Sequence, residues 1–169
     1  MKNILFVVIV VLFSSFIVFE KEKESNDEQI NVLVDSWHKA AANANFENYF
    51  ECMTSDAIFI GTDAAENWNK SEFMTYAKPF FDKGKAWNFT AVERHVFIDK
   101  SGKIAWFDEL LSTQMKICRG SGVLVKEGKK WKIKHYVLSM TIPNENSAEV
   151  IKVKTLIEDN FLKSLLEER

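Results

Sequence analysis

AWNFTAVERHVFIDKSG, residues 86–102, is the stretch on which the reading of this chain turns. Trp87, Phe89, Ala91, Glu93, His95 and Phe97 alternate with Asn88, Thr90, Val92, Arg94, Val96 and Ile98, a period of two that predicts a β-strand. Lys100-Ser101-Gly102 predicts a turn into a second strand over 103–115. A third strand is expected over 116–126, and Glu127-Gly128-Lys129 turns into a fourth over 130–142. On that fourth strand Trp131, Ile133, His135, Val137 and Ser139 share one face. Strict alternation therefore sends His135 inward and Tyr136 outward beside Lys132 and Lys134.

Upstream the period changes to the helical one. Ile30, Leu33, Val34, Trp37, Ala41 and Ala44 fall on one stripe and predict a long helix over 28–44, and Phe46, Tyr49 and Phe50 a short second one. Ala57-Ile58-Phe59-Ile60 reads as a brief strand halted by Gly61. Asn69 or Ser71 then starts a third helix with Phe73, Met74, Ala77, Phe80 and Phe81, bent or shortened near its end by Pro79. Helices first and a long meander afterward give an α+β fold with the helices on one face of a largely antiparallel sheet.

The two ends read differently from the middle. Residues 4–19 are apolar except for Ser14 and Ser15, follow Met1-Lys2-Asn3, and run into Glu20-Lys21-Glu22-Lys23-Glu24. That pattern predicts export, with 1–19 as a signal peptide or, if uncleaved, a membrane anchor. Residues 20–27 read as a linker, 28–143 as the domain, and 144–169 as a tail carrying an amphipathic helix capped by Ser147, with Val150, Val153, Ile157, Phe161 and Leu165 on its stripe. That stripe can cover its own sheet or meet a second copy.

Composition narrows the function classes. The 169 residues leave room for one domain plus appendages, and 22 basic against 24 acidic residues supply no excess positive charge for nucleic acid. Cys52 and Cys118 stand far apart without ligand spacing, so no zinc site is expected, and their pairing stays open. Gly-rich phosphate loop, serine nucleophile elbow and HExxH are all missing from the sequence, so no cofactor or metal is expected.

Several local strings, GTD at 61–63 with Trp68 following, AWFDE at 105–109, RGSGVLV at 119–125 and WKIKHYVLS at 131–139, resemble the SnoaL-like branch of the nuclear transport factor 2-like superfamily over about 28–144. The resemblance implies a cone, in which a strongly curved mixed sheet wraps one long and two shorter helices and leaves a pocket at the wide end. It implies a functional range from ketosteroid isomerase, scytalone dehydratase, limonene epoxide hydrolase and polyketide cyclases to binding or association modules. It also implies pairing through the sheet.

The candidate site residues are polar or aromatic groups expected near such a pocket. His135 is the first, by its inward position. Asp108 and Glu109 are neighbours on a strand and face opposite ways, so at most one enters the cone, and Glu109 is the choice. Asp63 borders the mouth, where it either acts or braces the turn after Gly61. Arg119, if buried, would pair with Asp63 or Glu109, and the glycines at 120 and 122 would let a ligand or helix approach the backbone. Trp68, Trp87 and Trp106 are read as core and pocket wall, and His38, at the edge of the first helix's stripe, is assigned to the surface with a pocket-lining position as the alternative. Together these residues predict an exported module that binds a small hydrophobic or amphipathic molecule without catalysis. The alternatives are a cofactor-free isomerase, dehydratase or cyclase using His135, Asp63 or Glu109, and a dimeric association module. A homodimer is expected through the outer face of the sheet, with Tyr136, Leu138 and Met140 on the last strand and, if the other set of the first long strand faces the helices, Asn88, Val92, Val96 and Ile98 as candidates.

Overall fold

A computed structural model describes residues 25–167. The first helix, α1 (Asn26–Ala42), starts two residues before the predicted point because Ser25 caps it, its side chain accepting the Glu28 N–H at 3.2 Å, while Asp27 and Glu28 complement the dipole. Its apolar stripe of Ile30, Val34, Trp37 and Ala41 is fully buried. A short α2 (Phe46–Glu51) follows, then β1 (Met53–Ile60), which extends the predicted brief strand at its start, then β2 (Asn67–Asn69), which the sequence pattern does not predict, and α3 (Lys70–Asp82). Asn69 and Glu72 form a capping box at the head of α3, and Pro79 is carried inside its last turns.

Four strands fill the second half: β3 (Thr90–Ile98), β4 (Ile104–Thr113), β5 (Lys116–Glu127) and β6 (Lys130–Met140). A one-turn 3-10 helix (Asn144–Asn146) then leads into α4 (Ser147–Glu167). The sheet order is β2-β1-β6-β5-β4-β3, with β1 parallel to β6 and every other pair antiparallel. The result is the expected α+β architecture, a curved open mixed sheet whose hollow holds α1, α2 and α3.

Two β-bulges overturn the predicted faces. In the β5–β6 ladder Val123 pairs with His135 but Leu124 pairs with Ile133, so Lys134 has no opposite number. One extra residue reverses every side chain beyond it. Tyr136 is therefore fully buried inside the hollow and His135 lies half-buried on the outer side, the reverse of the alternation. The extruded Lys134 makes an ion pair with Asp56 on β1. In the β3–β4 ladder Ala91 pairs with Leu111 and Glu93 with Leu110, leaving Val92 over. Beyond it Arg94, Val96 and Ile98 turn toward the core, so Val96 and Ile98 are not outer-face residues. Leu138 follows Tyr136 inside. Bulges bend a strand and tighten its twist, which is how a sheet of this length curls around three helices.

The outer face stays uncovered among the described residues. Phe97 and Trp106, cross-strand partners stacked at 5.8 Å, are each 47% exposed, and Ile104, Ile117 and Met140 are exposed with them. Helix α4 has no buried residue, and its only substantial packing is on the 3-10 turn before it, so within one chain it does not cover this face.

Candidate functional site

Deep in the hollow, three residues from three elements meet on one carboxylate. Glu109, on β4, is 1% exposed. Its Oε1 accepts from His38 Nε2 at 2.8 Å and from the Tyr136 hydroxyl at 2.9 Å. Its Oε2 accepts from Arg94 Nε at 2.9 Å and Nη2 at 2.8 Å, a bidentate pair between directly opposed residues of β3 and β4. Arg94 Nη1 continues to Asp35 at 2.8 Å and to the Asn31 side chain at 3.2 Å, tying the cluster to α1.

The local chain explains each position. Asn31, Asp35 and His38 recur at four- and three-residue spacing on α1, a polar stripe beside the apolar one. The β3 bulge turns Arg94 inward, and the β6 bulge does the same for Tyr136. Gly120, opposite Glu109 on β5, makes the room: a Cβ there would stand 2.1 Å from the Tyr136 hydroxyl and 2.9 Å from Glu109 Oε1. The missing side chain accommodates a neighbouring tyrosine, not a ligand. Gly122 likewise clears the Phe107 ring.

Burial opposes the charge on Glu109, but the hydrogen bonds and charge of His38 and Arg94 outweigh it and hold the carboxyl below its ordinary value. Burial, reinforced by the Glu109 charge, pushes the Tyr136 hydroxyl well up, so it remains a donor. With four donors on two oxygens, the carboxylate has no lone pair directed at a substrate.

The second feature lies at the wide end. A cavity of about 350 Å3 is walled by Phe59, Trp68, Phe73, Tyr76, Phe80, Trp87 and Phe89, closed below by Met115 and Leu138, and rimmed by Thr62, Glu66 and Gln114. Phe59 and Phe73 stack at 3.9 Å and 14°, and Trp68 stacks on Tyr76 at 4.4 Å and 25°. Their supports are the start of α3, the β1–β2 turn and the segment entering β3. Burial, then the negative Glu66, raises the Tyr76 hydroxyl. None of Glu109, His38, Arg94 or Tyr136 belongs to the lining. A larger depression of about 1130 Å3 along α1 and the β5–β6 turn is an open surface groove bordered by Lys39, Lys126, Lys129, Lys130 and Lys132, and shares no residue with the aromatic cavity.

Of the predicted site residues, Trp68 and Trp87 line the cavity and Glu109 lies outside it in the polar cluster, whereas Trp106, expected in the core or pocket wall, stands exposed on the outer face against Phe97. Asp63 is exposed at the rim turn, where its Oδ1 accepts the Ala65 N–H at 2.9 Å and its own N–H donates to Glu66. Arg119 is exposed on the outer face, because its neighbours Cys118 and Gly120 take the inward positions; it pairs with neither Asp63 nor Glu109. His135 is removed from the hollow by the Lys134 bulge. His38 is buried at 4% exposure, not on the surface. The sequence reading missed His38 and Arg94. The Asn31-Asp35-His38 stripe was the signal for the first, and nothing local marks the second. Cys52 and Cys118 are both free thiols.

Residues 30–143 match the SnoaL-like domain family. No curated protein matches the chain. Among solved structures, a domain with a cystatin-like fold from Nostoc punctiforme superposes with a TM-score of 0.62 at 13% identity, covering 87% of this chain and 99% of that one. An NTF2-like protein from Pseudomonas putida KT2440 gives 0.60 at 15% identity, with 73% and 94% covered. A proposed ketosteroid isomerase from Shewanella frigidimarina gives 0.56 at 18% identity, with 68% and 98% covered. At these identities the likeness is one of fold.

Proposed function

The chain belongs to the SnoaL-like domain family of the nuclear transport factor 2-like superfamily, and from that premise we propose a protein that binds a small hydrophobic or amphipathic molecule in its aromatic cavity without transforming it. The observation that carries the reading is the separation of the two features. The buried carboxylate is saturated by its own neighbours and stands outside the lining, while the cavity has the size and apolar walls of a ligand pocket. A screen of hydrophobic and amphipathic compounds by thermal shift tests it, since a ligand raises apparent stability with its excess over Kd. A hit whose shift is lost in Trp68→Ala supports the reading. Turnover of that hit, abolished by Glu109→Gln in a folded protein, overturns it in favour of an enzyme.

The same reading includes export and pairing. The apolar run 4–19, which lies outside the described residues, supports export, and fractionation of a C-terminally tagged chain tests it; a full-length soluble cytoplasmic product counts against it. The uncovered Phe97–Trp106 stack supports a homodimer through the outer sheet face. Light scattering with and without residues 147–169 tests it: a dimer in both forms agrees, and a tail-less dimer beside a full-length monomer makes α4 an intramolecular cover.

A further inference from the structure

Among the described residues, Glu66 is the single charged group in the lining of the aromatic cavity, which contains no Lys, Arg or His. Its position is built. The β1–β2 turn closes through Gly61 N–H to the Glu66 carbonyl at 3.0 Å and Glu66 N–H to the Asp63 carbonyl at 3.0 Å. The side chain folds back over Gly61, where a Cβ would stand 2.1 Å from Oε2; any other residue there would drive the carboxylate off the rim. Oε2 accepts the Asp63 N–H at 3.1 Å, and Oε1 has no hydrogen-bond partner among the described residues.

Trp68, Tyr76 and Trp87 line the same cavity, and Tyr76 feels the negative charge of that carboxylate. An aromatic ring is negative on its face, so wherever a wall ring presents its face, ring and carboxylate act on a ligand with the same sign. An anion is repelled by both, and a neutral hydrocarbon gains nothing from Glu66. A cation is attracted by both. At about 350 Å3 the cavity has room for an ammonium head and an apolar body attached to it. Resting on the binding reading above, we propose that the cavity selects an organic cation, a quaternary or tertiary ammonium held against the aromatic wall that includes Trp68, Tyr76 and Trp87, with Glu66 as its counter-ion.

Choline and its neutral isostere 3,3-dimethyl-1-butanol share a shape and differ in charge, so the pair isolates the electrostatic part. Titration of the purified full chain, read by tryptophan fluorescence and calorimetry, is expected to show choline binding at least about tenfold more tightly, in line with cation–π and carboxylate contributions in a partly desolvated site. Glu66→Gln keeps the acceptor for the Asp63 N–H and should bring the two probes to within about threefold by weakening choline alone. Equal affinities in the wild type, or an unchanged preference in Glu66→Gln, overturn the proposal. If 3,3-dimethyl-1-butanol or a neutral compound from the thermal-shift screen binds and choline does not, the charge inference falls while the binding reading stands. If neither probe nor any screened compound binds, both fall.

Discussion

The floor of the hollow and its mouth are built from opposite materials. At the floor, His38, Tyr136 and Arg94 put four donors on the two oxygens of Glu109, so that carboxylate has no lone pair left for a guest. At the mouth, aromatic rings wall a cavity and the one carboxylate keeps an oxygen unengaged. Both regions hold a glutamate in an aromatic setting, yet only one has spare capacity for a ligand. A buried polar group is therefore a poor guide to a site until its partners have been counted, because a saturated carboxylate orders the fold and an unsaturated one can order a guest.

Glu109→Ala is the most direct way to break the contrast. It strips the buried Arg94 guanidinium of its bidentate partner, leaving it only the exposed Asp35 carboxylate and Asn31, and should destabilise the fold by about 3–5 kcal/mol, read by chemical denaturation. A loss below about 1 kcal/mol would mean that the cluster is not structural. Gly120→Ala attacks the same cluster by volume. The added methyl collides with the Tyr136 hydroxyl and should cost about 1–3 kcal/mol, with no effect on the aromatic cavity beyond that of reduced stability.

pH sharpens the comparison. Because the folded Glu109 carboxyl lies below its ordinary value, the native state holds fewer protons there than the unfolded state across the interval between the two. Its stabilisation is complete above the ordinary carboxyl range and is lost as pH falls toward the folded value. Unfolding free energy measured from neutral to strongly acid pH should therefore decline more steeply in the wild type than in Glu109→Gln. Parallel curves would remove Glu109 from the acid response.

At the mouth the expected signs reverse. Trp68 is half-buried, so Trp68→Ala should cost less stability than Glu109→Ala while weakening any cavity ligand by about tenfold, about 1.4 kcal/mol at 25 °C. The smallest effect belongs to α4. With no residue buried, its removal should shift the unfolding midpoint of the dilute monomer by less than the loss of any core side chain, and a large shift would show packing that the fold does not display.

Local pattern carried the reading a long way. The helical stripe Ile30, Val34, Trp37 and Ala41 and the four long strands were legible, and the start of α3 as a choice between Asn69 and Ser71, because caps, periods and turns are set by residues close in the chain. The inward choice of Glu109 over Asp108 was legible only as an alternative of two, since alternation separates neighbours without saying which side is the inside. What the tertiary structure alone decided was parity. A bulge at Val92 brought Arg94 in, and a bulge at Lys134 exchanged His135 for Tyr136. Neither bulge has a signature in its own strand, because it exists to let two strands of different curvature stay paired, and that curvature is a property of the whole sheet closing on its helices.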